Sequence, residues 1–480
     1  MSKPKISFLS QDEIEAINNA SLEVLESTGV KVMSSEALDI LKEAGARVDY
    51  SEKHAAIPRD LVEEALKRAP KTIKYCARDT ENDFILDGKE PHFTTDGYAP
   101  FIMDFETGER RMSVREDLVR WTKIADYLNN VRVVWASVTP NDVPAPMQKI
   151  METITCLSNT GKHFQGEALN AREARYDIEI AAAIVGGREE LRKRPIISAV
   201  QCTIAPLAFE EGSVEAVIEF ARAGIPVAPL PMPLMGETGP ATVAGTLVVS
   251  NAENLASLVI SEFASSGAPV VYSTAAGGID FRTGGAAEGA PEYGIIQMAS
   301  AQLARYYNLP SLICGGCSDS KLPDVQAGFE RAMTLTTSIL TGADLITGLG
   351  GLNSANAMSP ELLVIDNEIV EAIFRMARGF AVNDDTLAVD VIHKVGPGGH
   401  FLGQKHTLEH YRAETWIPKI SDRRDFETWV KMGSKSMDKV ANEKVKEILA
   451  THKPVPIPEH VEKEISEILN RAEVELLKKN

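Results

Sequence analysis

The sequence predicts an α/β fold in which parallel strands close into a barrel. The main observation is a rhythm in the middle of the chain, where short β-branched runs alternate with longer amphipathic segments, as in a parallel sheet. At least seven such units follow one another without interruption, which favours a barrel over a doubly wound sheet. The Gly-x-Gly-x-x-Gly sequence of a dinucleotide-binding sheet does not follow the first strand.

The predicted elements divide the chain into three parts. The predicted strands are 131–138, 163–167, 195–200, 226–230, 269–274, 312–314 and 344–347. The helices that precede them are 115–128, 145–160, 171–185, 212–223, 241–266, 291–308 and 324–342. We therefore expect an N-terminal helical and hairpin extension (1–110), the barrel (111–395) and a C-terminal helical segment packed on the barrel (396–480).

Composition excludes several classes of protein. The 480 residues include 50 basic and 68 acidic ones, and the net charge of −18 argues against non-specific binding to nucleic acid or anionic membranes. Five cysteines are too few for a disulfide framework, which favours a reducing cytoplasm. No signal peptide begins the chain, and no uncharged apolar run reaches the roughly 18 residues of a membrane span. We expect a cytoplasmic protein that binds neither nucleic acid nor membrane.

Polar and glycine-rich residues follow most predicted strands. The richest stretch, 312–330, places two glycines and then hydroxyl, carboxylate, ammonium and amide groups directly after an apolar strand. In a barrel such loops meet at one rim and carry the chemistry. Loops are often polar without any function, so the argument rests on the whole set rather than on any single loop.

Two motifs raise the question of a metal. Cys314 and Cys317 have C-x-x-C spacing but lack the second pair of a zinc site, and small buried residues at a strand end are the better interpretation. His406 and His410 match the H-x-x-E-H order and would share a helix face, but no third ligand is apparent. We therefore expect no protein-bound metal.

Aromatic residues lie near the predicted rim. Four aromatic residues cluster just before the barrel: Phe93, Tyr98, Phe101 and Phe105. Phe164 and Tyr272 lie at predicted strand ends. Aromatic faces combined with carboxylates bind quaternary ammonium ions through cation–π attraction. Ordinary core packing is the alternative for each of these residues.

Several ordered blocks resemble the trimethylamine methyltransferase family, and the resemblance covers nearly the whole chain. The blocks are 236–242, 269–272, 315–321 with 324–330, 364–368 and 396–403. The resemblance implies a TIM (β/α)8 barrel that moves a methyl group from an amine to the cobalt of a corrinoid. The corrinoid would be carried by a separate small protein, and the chain itself would form a homo-oligomer.

The absence of one residue bears on the substrate. Archaeal trimethylamine enzymes of the family carry pyrrolysine in the barrel, whereas this sequence contains only the ordinary amino acids. It resembles the non-pyrrolysine branch, which demethylates quaternary amines in a metabolism similar to methylamine-dependent methanogenesis. Glycine betaine, yielding dimethylglycine, is the first expectation; proline betaine, carnitine, γ-butyrobetaine and a tertiary amine are the alternatives. A quaternary amine leaves as a neutral tertiary amine, so the protein need supply no general acid.

The resemblance and the predicted rim together suggest candidate site residues. Asp319 is predicted to be the catalytic anionic partner of the ammonium, or else the ion-pair partner of Lys321. The substrate-binding candidates are Asp96, Tyr98, Phe101, His163, Phe164, Tyr272, Arg282, Ser318 and Lys321. The candidates for contact with the corrinoid are Gly348, Gly350, Gly351 and His400.

Two rivals come from other classes. One is a non-catalytic barrel that binds a betaine, which corrinoid-dependent turnover would exclude. The other is a lyase acting on a phosphorylated substrate, for which the glycines of 348–351 would form the phosphate site after a late strand.

Overall fold

The computed structural model describes residues 5–477 and contains a closed barrel of eight parallel strands. The strands are β1 (His92–Thr95), β2 (Val131–Trp135), β3 (His163–Gly166), β4 (Ile197–Cys202), β5 (Val227–Leu230), β6 (Tyr272–Thr274), β7 (Ser311–Cys314) and β8 (Leu345–Leu349). They pair in chain order, and β8 pairs with β1. The circle closes between β5 and β6, where Val227 N–H donates to the Pro269 carbonyl at 2.9 Å and Val271 N–H donates to Val227 at 2.8 Å. The predicted α/β barrel is confirmed.

A helix follows every strand. The helices are α1 (Arg115–Tyr127), α2 (Gln148–Asn159), α3 (Ala171–Val185), α4 (Glu211–Ala223), α5 (Val243–Ala264), α6 (Pro291–Tyr306), α7 (Val325–Thr341) and α8 (Pro360–Ala377). Local signals set their ends: the Asp324 carboxylate accepts from Ala327 N–H at 3.1 Å, and Gly342 ends α7 with φ of 81°. Seven helices and seven strands agree with the sequence-based elements to within a few residues at their ends.

The first barrel strand lies earlier than expected. β1 is His92–Thr95, inside the region that the sequence analysis assigned to the N-terminal extension. The strand has only four residues, and it lies between two hairpins of short strands. Its sequence therefore lacks the alternation of strands and helices that marks the rest of the barrel. Its pairing with β2 and β8 nevertheless makes it part of the barrel.

The N-terminal extension closes the amino-terminal end of the barrel. The hairpin of Ile73–Tyr75 and Phe84–Leu86 brings Tyr75 against β3, with its ring 4.3 Å from that of His163. Three helices, Gln11–Glu23, Ser35–Ala44 and Arg59–Arg68, pack on α5. The remaining N-terminal strands, Val30–Val32, Arg47–Asp49 and His54–Ala56, form a small sheet with Ala208–Phe209.

The C-terminal part contains two unlike regions. Met437–Thr451 packs on α8 and α1, and Glu459–Leu477 packs on α3. Between α8 and these helices lies a linking segment, 379–436, in which no residue is buried. Its helices are Asp384–Leu387, Val389–Val395, Lys405–Glu414 and Phe426–Lys431.

Within residues 5–477, α5 is the helix that is long and apolar enough to cross a membrane. In this fold 78% of that apolar stretch is buried, because the three N-terminal helices and the barrel enclose it. Two small sheets lie beyond the carboxyl ends of the strands. One contains Phe101–Met103, Arg110–Met112, Gly351–Leu352 and Ala357–Met358; the other contains Leu234–Met235, Gly277–Asp280 and Gly285–Ala286.

Candidate active site at the carboxyl ends of the strands

Asp319 lies in the loop between β7 and α7, at the end of the barrel that we call the mouth. Its carboxylate accepts from Glu288 N–H at 2.9 Å and from the Ser354 hydroxyl at 2.8 Å. Lys321 donates to the backbone carbonyl of Asp319 at 2.6 Å. The Lys321 ammonium is thus held by the main chain, and it leaves the Asp319 carboxylate free of a salt bridge among the described residues.

Asp96 follows β1 and points to the same region. Gly97 N–H donates to one carboxylate oxygen at 3.0 Å, while the buried Oδ2 has no hydrogen-bond partner within residues 5–477. Burial raises the pKa of Asp96 to about 6. A Cβ at Gly351 would overlap this carboxylate, so the glycine is what allows the close approach.

Glu288, before α6, is the third carboxyl group at the mouth. Its side chain is buried, and burial together with the negative charges of Asp96 and Asp319 raises its pKa to about 8. A fourth carboxylate, Glu330, accepts from the Ser318 hydroxyl at 2.7 Å and from Asp319 N–H at 2.9 Å. Glu330 therefore shapes the loop, whereas Asp96, Glu288 and Asp319 bring three carboxyl groups together without a salt bridge among the described residues.

Arg331 on α7 holds together the loops that carry these groups. Its guanidinium is fully buried and forms a salt bridge of 2.9 Å with Asp366 of α8. It also donates to the carbonyls of Gly348 (3.0 Å), Gly316 and Gly351. Because one guanidinium satisfies several buried carbonyls, the loops after β7 and β8 are fixed relative to each other.

A stretch of strained backbone lies beside Asp319. Asn353, Ser354 and Ala355 have φ of 54°, 51° and 56°, a left-handed conformation that costs on the order of 1–3 kcal/mol for each such residue. Hydrogen bonds of 2.8 and 3.0 Å from the N–H groups of Asn353 and Ser354 hold it against the β7–α7 loop. The strain positions the Ser354 hydroxyl on the Asp319 carboxylate.

Tyr98 lies on the β2 side of the mouth, near a second group of charges. Its ring packs edge-on against Trp135 at 5.6 Å, and the Lys149 ammonium lies 3.4 Å from the ring centroid. Lys149 also lies 3.2 Å from both the Glu152 and Glu167 carboxylates. This ammonium is therefore already paired and is not free to receive a substrate carboxylate.

Three predicted residues lie away from the mouth. His163 begins β3, and its Nδ1 lies 2.7 Å from the Cys76 carbonyl at the amino-terminal end of the barrel. Phe164 points to the opposite face of β3 from His163 because strand side chains alternate. The Tyr272 hydroxyl donates to Asn251 of α5 at 3.0 Å, which places its ring among the surrounding helices. These three side chains do not join the candidate pocket.

Other predicted residues have partners that limit their role. Arg282 is 88% exposed at the tip of a hairpin and pairs with Asp280 at 2.6 Å. The face of Phe101 is covered by the Arg110 guanidinium, 3.4 Å from its centroid. Ser318 is buried and is engaged by Glu330.

The glycines predicted to touch the corrinoid have an internal role. Gly348, Gly350 and Gly351 are all buried. A Cβ at Gly348 would lie 2.7 Å from the Gly316 backbone, and one at Gly350 would overlap Trp121. They serve close packing rather than contact with a flat ligand. His400 is exposed in the linking segment, and nothing among its contacts within residues 5–477 places it against the mouth.

The sequence analysis missed four residues of this region. Glu288, Glu330 and Arg331 interact around Asp319, and Lys149 contacts Tyr98. The sequence carried a signal for two of them. Glu330 and Arg331 lie on the same buried face of α7 as Ala327 and Leu335, and charged side chains in such a position need partners.

Comparison with known proteins assigns the family. A model of the family described as trimethylamine methyltransferase (MTTB) matches residues 1–476. Trimethylamine methyltransferase MttB of Desulfitobacterium hafniense is 38% identical over 466 residues, covering 97% of this chain and 94% of that protein. A glycine betaine methyltransferase from another Desulfitobacterium hafniense strain is 33% identical over 453 residues, covering 94% of each.

Among solved structures, the Methanosarcina barkeri monomethylamine methyltransferase aligns over 97% of this chain and 92% of that one. It is 12% identical with a TM-score of 0.48, a likeness too distant to carry an argument. The similarities to the two Desulfitobacterium hafniense methyltransferases span almost the whole of this chain and of each relative. The chain therefore belongs to the trimethylamine methyltransferase family and is a methyltransferase.

Proposed function

We propose that this methyltransferase transfers a methyl group from a quaternary amine, glycine betaine first among them, to the Co(I) of a corrinoid carried by a partner protein. The observation that carries the proposal is the convergence of three carboxyl groups, Asp96, Glu288 and Asp319, at the mouth, where no salt bridge within residues 5–477 pairs them with a cation. Burial raises the pKa of Asp96 to about 6, and burial together with the neighbouring carboxylates raises that of Glu288 to about 8, so a bound positive charge would favour the ionised form of both groups. A quaternary ammonium is a permanent cation that supplies this charge.

The cation nearest to these carboxylates does not fill that role. Arg331 lowers the pKa of both Asp96 and Glu288 through its charge, but its guanidinium is committed to Asp366 and to three backbone carbonyls. An ammonium 4–5 Å from one carboxylate would gain roughly 3–4 kcal/mol at an effective dielectric constant of 20. Electrostatics of this size favours a cationic substrate over a neutral amine.

The chemistry requires positioning rather than proton transfer. When the methyl group leaves a quaternary nitrogen, the C–N electron pair stays on nitrogen and a neutral tertiary amine results. The new methyl–cobalt bond takes its electron pair from the Co(I) substrate, so no proton moves. The protein must hold the methyl carbon about 3–3.5 Å from the cobalt and in line. Asp319, fixed by Glu288 N–H and Ser354, would hold the cation for this attack.

A betaine also needs a partner for its carboxylate, and Lys321 suits that role best. It is exposed on the same loop as Asp319, and of its three donors one is used at the Asp319 carbonyl. The other predicted cations are less suitable, because Arg282 pairs with Asp280 and His163 lies at the far end of the barrel.

The test is methyl transfer from glycine betaine to cob(I)alamin or to a cognate corrinoid protein. We expect Asp319→Asn and Tyr98→Ala to lower kcat/KM on the order of 100-fold, equivalent to about 2.7 kcal/mol of transition-state stabilisation. The matched control is Asp422→Asn, a carboxylate of the linking segment that pairs with Arg424.

Two results would count against the proposal. If both variants keep the wild-type rate and KM, the site lies elsewhere. If quaternary amines bind and protect the protein but none is demethylated, while a tertiary or secondary amine is, the substrate class is wrong.

A further inference from the structure

We propose that Asp385, His406 and His410 form a binding site for one divalent transition metal ion, with Zn²⁺ the best match. The sequence offered only the two histidines. The structure adds a third ligand from another helix: one ligand atom of each of the three residues lies within 4.8 Å of the other two. Two imidazoles and a carboxylate are a donor set that Zn²⁺ prefers.

The geometry aims both imidazoles at the same residue. His406 and His410 lie one turn apart on the helix Lys405–Glu414, with ring centroids 4.2 Å apart. His410 Nε2 lies 3.3 Å from Asp385 Oδ2, and His406 Nε2 lies 3.1 Å from the Asp385 backbone carbonyl. Zinc ligands lie about 2.0–2.2 Å from the ion. Small side-chain rotations would bring one ligand atom from each of the three side chains into tetrahedral contact with it.

The surroundings leave room for an ion and a water molecule. A cavity of about 400 Å³ is lined by both histidines, with Phe380, Thr386 and Glu414 among its walls. Glu414 lies a further turn along the same helix face but is engaged by Arg375 at 3.0 Å. Asp385 is therefore the carboxylate that completes the protein ligands, and water would fill the fourth position.

The linking segment has polar anchors on α8, among them the N–H groups of residues 419–421 that donate to Glu368, but it has no apolar core of its own. None of the residues from 374 to 440 is buried. Large apolar side chains such as Leu402 (86% exposed) and Leu408 (72% exposed) face outward instead of forming a core. A metal that joins the helix Asp384–Leu387 to the helix Lys405–Glu414 would replace the missing apolar packing, as structural zinc does in small domains.

The site is separate from the mouth and does not depend on the proposed function. Arg375 and Arg378, at the carboxyl end of α8, donate to Glu414 and to the Ala413 carbonyl. Phe374 on the same turn packs against Phe93 at the start of the barrel strands. The metal site thus lies toward the amino-terminal end of the barrel.

The test uses the full chain, stripped of metal by a chelator and dialysed. Calorimetric titration with Zn²⁺ should give one ion per chain with a dissociation constant at or below about 1 µM, and Co²⁺ should give the visible absorption of a tetrahedral complex. His406→Asn, His410→Asn and Asp385→Asn should each weaken binding at least about tenfold. His393→Asn, an exposed histidine of the same segment, is the control and should bind as the wild type does.

A second readout is limited proteolysis within 379–436. Zinc should slow cleavage of the wild type and of His393→Asn but not of the three ligand variants. The proposal fails if the variants bind Zn²⁺ as tightly as the wild type, because the ion then binds elsewhere on the surface. It also fails if the wild type binds no Zn²⁺ in the micromolar range.

Discussion

Two buried charged clusters meet at the barrel mouth, and they differ in whether their charges balance. In the first, Arg331 and Asp366 form a salt bridge, and both terminal nitrogens of the guanidinium donate to backbone carbonyls. In the second, Asp96, Glu288 and Asp319 bring carboxyl groups together without a cation of their own. The charges of the first cluster are paired with each other, although Arg331 Nε and Asp366 Oδ1 have no hydrogen-bond partner within residues 5–477. The second cluster is the one to which the proposed cationic substrate would bind.

Whether the buried charges are paired distinguishes a cluster that supports the fold from one that could bind a ligand. Burying a charge is unfavourable unless the charge is paired and hydrogen-bonded, so a balanced cluster needs no ligand. Burial raises the pKa of Asp366 to about 6 as it does that of Asp96, so the two clusters differ in their ion pairing and not in these pKa values. Glu288 stands apart, because burial together with the charges of Asp96 and Asp319 raises its pKa to about 8.

Removing the cation of the balanced cluster should have the largest effect. Arg331→Met leaves the Asp366 carboxylate and the carbonyls of Gly348 and Gly351 buried without their donor. Breaking a buried pair in this way costs about 3–5 kcal/mol. Urea denaturation should show this loss in the free energy of unfolding.

The surface pair of Arg424 with Asp422 provides the matched control. Arg424→Met should change stability by less than about 1 kcal/mol, because exposed ion pairs contribute little. Equal losses in the two variants would mean that Arg331 is not the residue that holds the loops.

In the unbalanced cluster the expected effect depends on pH. Burial raises the pKa of Glu288 from its ordinary value of 4.5 to about 8, so the folded protein binds a proton that the unfolded chain releases. Between about pH 5 and 8 this carboxyl group lowers the free energy of unfolding as pH rises, by at most about 1.4 kcal/mol per pH unit. Glu288→Gln should remove that contribution, so the variant gains stability relative to the wild type toward pH 8.

The measurement is the difference in unfolding free energy between the variant and the wild type at several pH values. Glu292→Gln, an exposed carboxylate in the first turn of α6, serves as control and should give a difference that does not vary with pH. A pH-independent difference for Glu288→Gln as well would show that Glu288 keeps its charge in the folded protein.

The barrel could be predicted from sequence because its signals are local and repeated. Strand and helix patterns recur along most of the chain, and seven strands follow from them. β1 was not predicted as a barrel strand, because it has only four residues and lies in a region of short hairpins without this pattern. Only its pairing with β2 and β8, which depends on distant sequence, identifies it as a barrel strand.

The site was predictable only where sequence position determines spatial position. Asp96 and Asp319 follow strands, so they lie at the mouth, whereas His163 begins its strand and therefore lies at the opposite end. The position of the Tyr272 side chain depends on which face of β6 it occupies, which the sequence alone does not show. Its hydrogen bond to Asn251 places the side chain outside the barrel. The left-handed turn at Ser354 has no glycine to reveal it, since tertiary hydrogen bonds impose that conformation.

The smallest effect is expected for Lys321, which lies at the edge of the unbalanced cluster. Lys321 lies beside Asp319 but contacts its backbone, so it should contribute to binding a substrate carboxylate and little to stability. With glycine betaine, Lys321→Met should raise KM roughly five- to tenfold, about 1–1.4 kcal/mol, as expected for the loss of one exposed charge-assisted hydrogen bond. With tetramethylammonium, which has no carboxylate, KM should not change.

The pair of substrates makes this prediction selective. A rise in KM for both compounds would mean that Lys321 supports the loop rather than the carboxylate. No rise for either would leave the mouth recognising only the cation, and the preferred substrates would then be quaternary amines without an acidic group. Because Asp319 is unchanged in these assays, a rise in KM for glycine betaine alone would separate carboxylate recognition by Lys321 from cation recognition by Asp319 within this one loop.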